Sequence, residues 1–450
     1  MFDLSTFTPW SLFTDFGIIS ILILIAKFLR VKIKIIQKLF IPPSLIAGLL
    51  GLGLGPNGAG WLPLSGNLGT YSAVFIALVF AALPFSSPSM PFKQVVKKLG
   101  PIWSFAQMGM LLQWGIMGLF GFFVLKLIWP GLNDAFGIML PTGFYGGHGT
   151  AAAIGTAFEG LGWDEAKSLG MTTATVGIIS AIIGGLLILK VAARKKYTSF
   201  ITDFDNLPDE LRDGLVPNEK REPIGMATTN SISIDSLTFH LALVFAAALG
   251  GYMLSKGVKM AYPRLDLPIF SCAFVVGLLI KKFMDLVKAS DYVCIKTTSR
   301  LSSLFTDLLV ACGVASIQLG VVVKYALPLI VIIVAGIVLT FFITFYIGKK
   351  LLPSYWFERS LFAWGWWSGT MAMGIALLRI VDPQFKSRTM EDYAISYLPI
   401  APVEILLITF VPILFASGNG LWLSIGCVVI GAAVLAAGFA MKGKNKSIKL

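Results

Sequence analysis

Gly146-Gly147-His148-Gly149-Thr150 breaks a hydrophobic stretch at bilayer depth, and Trp366-Trp367-Ser368-Gly369-Thr370 breaks a comparable stretch in the other half of the chain. Each glycine so placed weakens a helix by roughly 1 kcal/mol relative to alanine. Inside lipid, the backbone groups that a break releases have to be met by protein, water or a ligand. Interrupted apolar segments at corresponding positions of two halves point to the substrate site of a secondary transporter. A carrier is therefore the first reading.

Composition agrees. Of 450 residues, 56% are apolar and only 13% charged, and mean hydropathy is +0.82. Soluble domains carry about 25% charged residues, so the fold expected is an all-α polytopic membrane protein. The length has room for about ten spanning helices of around 20 residues each. Helices are expected near 14–26, 70–85, 101–127, 168–190, 236–254, 267–280, 301–319, 326–348, 395–415 and 421–441, with a short proline-opened segment at 41–55. The interrupted regions cover 136–158 and 357–378.

The net charge of +13 reads as membrane topology rather than nucleic-acid binding. Cytoplasmic loops are enriched in Lys and Arg. With the N-terminus outside and the C-terminus in the cytoplasm, 30 of the 36 basic residues fall on the inner side. That arrangement brings the first interrupted region in from outside and the second from inside, the opposite approaches of an inverted repeat. The expected organisation is an N-terminal transmembrane repeat over 1–190, a hydrophilic cytoplasmic linker over 191–232, a C-terminal inverted repeat over 233–415, and an extra helix with a basic tail over 416–450. The linker mixes Arg194, Lys195 and Lys196 with Asp203, Asp205, Asp209 and Glu210 and has too few apolar residues for its own core. Ile41-Pro42-Pro43-Ser44 is matched by Leu267-Pro268-Ile269-Phe270, and Gly149-Thr150 and Gly369-Thr370 stand 220 residues apart.

Cys272, Cys294, Cys312 and Cys427 follow no metal or disulfide spacing. The first apolar run follows Asp3 and Asp15 instead of a basic segment and has no AxA-like exit, which argues against a cleaved signal peptide. No GxxxxGK[ST] or HExxH motif occurs, against an ATP-driven pump or a metalloprotease, and no enzyme is expected.

Tyr145-Gly146-Gly147-His148-Gly149-Thr150, the downstream Thr173-Ala174-Thr175-Val176-Gly177 and the opening Phe40-Ile41-Pro42-Pro43-Ser44-Leu45-Ile46-Ala47-Gly48-Leu49-Leu50 together resemble the glutamate:sodium symporter (ESS) family of bacterial secondary transporters. The resemblance covers most of residues 1–415. It implies an elevator-like carrier of two inverted five-helix repeats, each with a re-entrant segment, assembled as a homodimer in the bacterial inner membrane. It also implies sodium-driven uptake of glutamate. Two departures stand out: the second break reads Trp364-Gly365-Trp366-Trp367-Ser368-Gly369-Thr370 in place of a glycine-richer pattern, and an apparent extra helix follows the usual last one. The first puts glutamate itself in question.

A carboxylate desolvated near the bilayer centre suits half-helix N-termini, which offer free N–H groups and partial positive charge. Gly146, Gly147, Gly149 and Gly369 let backbone approach the anion, while Thr150, Ser368 and Thr370 offer hydroxyls. His148 either donates to a carboxylate or braces the loop, and proton coupling through it stays open. His240 has a structural reading. Sodium takes oxygen ligands, for which unwound carbonyls, Thr172, Thr173, Thr175 and Thr370 are candidates, with back-bonding to their own helix as the plainer role and the favoured one for Thr172. Asp307 and Glu404 lie in apolar helices, where a charge costs about 2.5–3.5 kcal/mol or more. Each can ligate a cation, carry a proton, hold a substrate amine, or pair with Arg359 or Arg379. A sodium/proton antiporter built on Asp307 and Glu404 is the alternative to symport.

Overall fold

The computed structural model describes residues 7–38, 41–86, 92–200, 213–262, 267–382 and 386–445. Asp203, Asp205, Asp209 and Glu210 of the linker, and the last residues of the basic tail, lie outside them. Among the described residues the chain is helical, without a strand. The first half gives α1 (Pro9–Lys32), α2 (Pro43–Leu54), α3 (Leu68–Ser86), α4 (Phe92–Phe120), α5 (Met139–Phe144), α6 (Gly147–Gly160) and α7 (Ala166–Arg194). The second gives α8 (Ser236–Ala261), α9 (Ile269–Leu286), α10 (Ile295–Ala315), α11 (Ala326–Phe341), α12 (Trp356–Ser368), α13 (Met371–Val381), α14 (Thr389–Tyr397), α15 (Ile400–Ala416) and α16 (Gly420–Asn445). Both α4 and α11 run on into a π turn, at Gly121–Leu125 and Phe342–Ile347.

By length and apolarity seven helices can cross a membrane, or eight if α14 and α15, bent by 55°, form one span. This is a multi-pass membrane protein. Local chemistry sets several of its boundaries. Pro43 opens α2, where a missing N–H costs nothing. Asp235 caps α8 by accepting from the N–H groups of Leu237 and Thr238. Both interrupted regions are broken as expected, but the first break needs correcting. The chain leaves α5 at Tyr145-Gly146 and enters α6 at Gly147, whose φ of +60° suits glycine alone. Gly149-Thr150 therefore lie in the first turn of α6, whereas Gly369-Thr370 are themselves the gap between α12 and α13.

Two compact units form, and neither is a half of the sequence. One comprises Met1–Ala26, Pro43–Ser89 and Val216–Ile317; the other comprises Lys27–Pro42, Met90–Leu215 and Gln318–Leu450. The linker residues 191–215 belong to the second unit and 216–232 to the first.

In the first unit α3 is the central helix, packed by α9 and α10. Small residues bring the backbones close: a Cβ on Gly48 would lie 2.6 Å from Val314 Cβ, and one on Gly51 would lie 2.9 Å from Ala315 Cβ. Because α1 starts at Pro9, Asp15 falls inside the first span and is fully buried. Its carboxylate accepts from Ser65 N–H (2.8 Å), Ser65 Oγ (2.5 Å) and Tyr71 Oη (2.9 Å). Cys294, just ahead of α10, is the one cysteine that is not buried. Partial burial pushes its thiol up, but donation from Thr297 and from the backbone N–H groups of Met226, Thr297 and Lys296 brings it down to about 7.

In the second unit α7 is the hub, touching α5, α6, α12 and α13. The extra helix α16 packs lengthwise on α4, with Ser104 Oγ donating to the Val434 carbonyl at 2.6 Å. Glycines on both helices, Gly115 and Gly118 on one and Gly431 and Gly438 on the other, take the close approach.

Removing the Asp15 carboxylate leaves buried donors unpaired, each costing about 1–3 kcal/mol. Asp15→Ala should lower the thermal unfolding midpoint in detergent markedly, and Tyr71→Phe, which deletes one donor, should lower it less. Wild-type stability in Asp15→Ala would show that the cluster holds nothing together.

Candidate functional site

Both breaks lie in the second unit, and they meet. A Cβ on Gly147 would stand 3.0 Å from Thr370 Cγ2 and 3.2 Å from the Gly369 carbonyl oxygen. Four half-helix ends therefore converge: the N-termini of α6 and α13, whose first N–H groups a continuous helix would have bonded, and the C-termini of α5 and α12, whose last carbonyls it would have bonded. The first pair suits anions and the second suits cations.

The crossing is possible because α7 presents glycines at seven-residue spacing, Gly170, Gly177 and Gly184. A Cβ on Gly177 would collide with the Ser368 carbonyl, and one on Gly184 would lie 2.6 Å from Trp364 Cζ2. A Cβ on Gly170 would meet Ala151 at 3.4 Å. Trp364 Nε1 donates to the Ala181 carbonyl at 2.9 Å, tying α12 to the same helix. Gly369 sits on α7 too, since its Cβ would fall 3.0 Å from Ala181 Cβ and 3.3 Å from Ile178 Cα.

The hydroxyls named from the sequence are partly committed elsewhere. Thr173 is fully buried and donates to the Met139 carbonyl of α5 at 2.7 Å and to the Gly170 carbonyl at 2.9 Å. Thr172 back-bonds to Ser168 at 2.7 Å, its plainer role. Thr175 donates to the Met171 carbonyl at 2.9 Å and is 3.0 Å from His148 Nε2. Ser368 donates to the Trp364 carbonyl at 2.5 Å. Thr150 folds over Gly146, leaving no room there for a Cβ.

Glu404 belongs to this unit. Tyr397 Oη donates to its Oε2 at 2.7 Å, and the Tyr397 ring lies 5.4 Å from Trp366, which lies 5.9 Å from Tyr145 at the first break. Asp307 belongs to the other unit, on an exposed face of α10, where Ser44 hydrogen-bonds it. Arg359 pairs with Asp392 at 2.6 Å rather than with Asp307 or Glu404.

Sequence reasoning missed Gln113. From the middle of α4 its Nε2 donates to Thr340 Oγ1 at 2.8 Å and to the Trp367 carbonyl at 3.1 Å, meeting one of the carbonyls freed at the end of α12. A buried glutamine in an apolar helix was the available signal. Tyr145 Oη, His148 Nδ1, Trp367 Nε1 and Gln113 Oε1 are buried with no hydrogen-bond partner among the described residues. Among those residues no group of three or more His, Cys, Asp and Glu is placed to hold a metal. The oxygens on hand for sodium are carbonyls and hydroxyls.

Comparison with curated proteins gave no match. The profile described as sodium/glutamate symporter matches residues 11–354, which include the first break and stop short of the second. With three quarters of the sequence matched and both breaks in one unit, the chain belongs to the sodium/glutamate symporter family of membrane transporters, with sodium as its co-transported coupling ion.

Proposed function

We propose that this protein takes up glutamate, or a similar small anionic amino acid or dicarboxylate, together with sodium, by elevator-like alternating access. The observation that carries the reading is the meeting of the two breaks at Gly147, Gly369 and Thr370. Carboxylates of the substrate bind at the N-termini of α6 and α13, where Gly146, Gly147, His148, Gly149, Thr150, Ser368, Gly369 and Thr370 gather. Sodium binds among the freed carbonyls of α5 and α12, with Thr173 and Thr175 as hydroxyl candidates. Glu404, beside the rings of Tyr397 and Trp366, is the candidate acid of this unit for a cation. Asp307 is the candidate of the other unit.

The two broken helices are re-entrant segments of inverted halves. Support comes from the matching order of elements, in which a long helix, a short one, another span, a π-turned helix and a broken helix recur in both halves. On this reading the halves are 1–190 and 233–415, joined by the cytoplasmic linker 191–232 and followed by 416–450. Because one compact unit holds both breaks, a loaded site can travel as a single body. The protein works as a homodimer in the bacterial inner membrane, N-terminus outside. Proton exchange on Asp307 and Glu404 is the weaker reading, since those acids lie in different units and the family couples to sodium.

Three tests follow from this site. Labelled glutamate should enter proteoliposomes in a sodium-dependent manner. Gly147→Ala forces a left-handed conformation that costs about 1–2 kcal/mol outside glycine, and Gly369→Ala crowds α7. Both should sharply reduce uptake while inserting normally, and wild-type uptake in both would remove the breaks from the mechanism.

Orientation can be read without introduced residues. In intact cells the native Cys294 should react near neutral pH with permeant thiol reagents only, ahead of the buried Cys272, Cys312 and Cys427. Labelling by an impermeant reagent would invert the topology.

Asp307→Asn keeps the shape and removes the charge. If Asp307 serves the coupling ion, half-maximal uptake should need much more sodium, with substrate affinity at saturating sodium changed less. Unchanged sodium dependence in well-folded protein would take Asp307 out of ion binding.

A further inference from the structure

The chain has two histidines, and the hydrogen bonds around them select opposite tautomers. His240 Nδ1 lies 2.5 Å from the Ser236 carbonyl, which can only accept, so Nδ1 carries the proton. Its Nε2 then accepts from the Cys294 N–H at 2.8 Å. Both nitrogens are satisfied, which makes His240 a brace.

His148 differs. Its Nε2 is 3.0 Å from Thr175 Oγ1, and that hydroxyl donates its one proton to the Met171 carbonyl at 2.9 Å. Toward His148 the hydroxyl therefore accepts, and Nε2 must be the N–H. The other tautomer would bury an N–H on Nδ1 with nothing to receive it, the costlier error. A second proton would add an unpaired charge at a buried position. His148 is 2% exposed, and its Nδ1 has no partner among the described residues. What stands in the first turn of α6 is thus a bare nitrogen lone pair, next to Gly147 where the two breaks meet.

We propose that His148 Nδ1 accepts a hydrogen bond from the ammonium group of the transported amino acid. This rests on the transport reading above and differs from both roles left open for His148 in the sequence, donor to a carboxylate or brace of the loop. The carboxylates already have donors in the free N–H groups of α6 and α13, whereas an ammonium needs acceptors. Sodium, a hard cation, is better matched to the carbonyl and hydroxyl oxygens nearby than to an imidazole nitrogen. The Thr175 relay fixes the ring so that the lone pair is presented before substrate arrives.

The experiment uses full-length protein in lipid with ring-15N histidine, together with affinities for L-glutamate and for glutarate, its amine-free analogue. With sodium alone, the spectrum should show one histidine of each tautomer. Glutamate should move the His148 Nδ1 signal toward a hydrogen-bonded position, and glutarate should not. His148→Gln keeps a donor for Thr175 but has no acceptor at the Nδ1 position. It should weaken glutamate roughly ten- to a hundredfold while glutarate affinity and sodium dependence hold. His148→Asn, whose side-chain carbonyl can occupy the Nδ1 position, should lose less. An Nδ1–H tautomer for His148, equal shifts with glutamate and glutarate, or wild-type glutamate affinity in His148→Gln would each overturn the proposal. Wild-type binding of glutarate without glutamate would sink the ammonium assignment and leave dicarboxylate transport standing. Binding of neither would sink the transport reading itself.

Discussion

Backbone groups released inside a membrane have no water to bond, and that constraint organises the second compact unit. Two helices break in it, exposing N–H groups on one side of each gap and carbonyls on the other. The breaks pack closely on α7, where Gly177 lies against the Ser368 carbonyl and the Phe144 ring and Gly184 against the Trp364 ring. A side chain at Gly177 or Gly184 would have to displace those groups. Gln113 answers the Trp367 carbonyl freed at the end of α12, while Thr173 ties the start of α5 to α7 through the Met139 carbonyl. The free ends that persist are those at the crossing itself, where a charged solute can meet them.

The two units differ in this respect. Helices α2, α3, α8, α9 and α10, none of them interrupted by a glycine gap, belong to one. Both broken pairs collect in the other. Two buried polar side chains of the first unit are closed by their neighbours, Asp15 by Ser65 and Tyr71 and His240 by Ser236 and Cys294. A buried acid with three donors is a fastening, most of its acceptor capacity being taken by Ser65 and Tyr71.

The helices, their order and the existence of both breaks could be read from the sequence because apolar length and glycine are local signals. The register of the first break could not. Three glycines and a threonine allow several gaps, and only the contact of Gly147 with Gly369 and Thr370 decides among them. The roles of acids were equally out of reach, because they depend on partners distant in the chain. Asp15 looked like a flanking charge until Ser65 and Tyr71 surrounded it, while Asp307 looked buried but lies on an exposed face of α10. Arg359 found Asp392, which stands in no motif and 33 residues away. The family profile does not reach the second break, since the matched residues end at 354.

An unpaired buried polar atom costs about 1–3 kcal/mol, so its location carries information. Several such atoms are scattered, Ser72 Oγ and Gln107 Nε2 among them. Four belong to residues at or against the crossing: Tyr145 Oη, His148 Nδ1, Trp367 Nε1 and Gln113 Oε1. They include acceptors as well as donors, a mixture that a plain carboxylate cannot answer but a zwitterion can. On the proposed reading, the cost they impose is recovered when a ligand of matching polarity binds, so the same atoms that weaken the fold would sharpen its selectivity. A dicarboxylate would satisfy the helix N-termini and leave the acceptors bare, whereas an amino acid satisfies both. On this ground the polarity of the crossing favours an amine-bearing anion over its amine-free analogue.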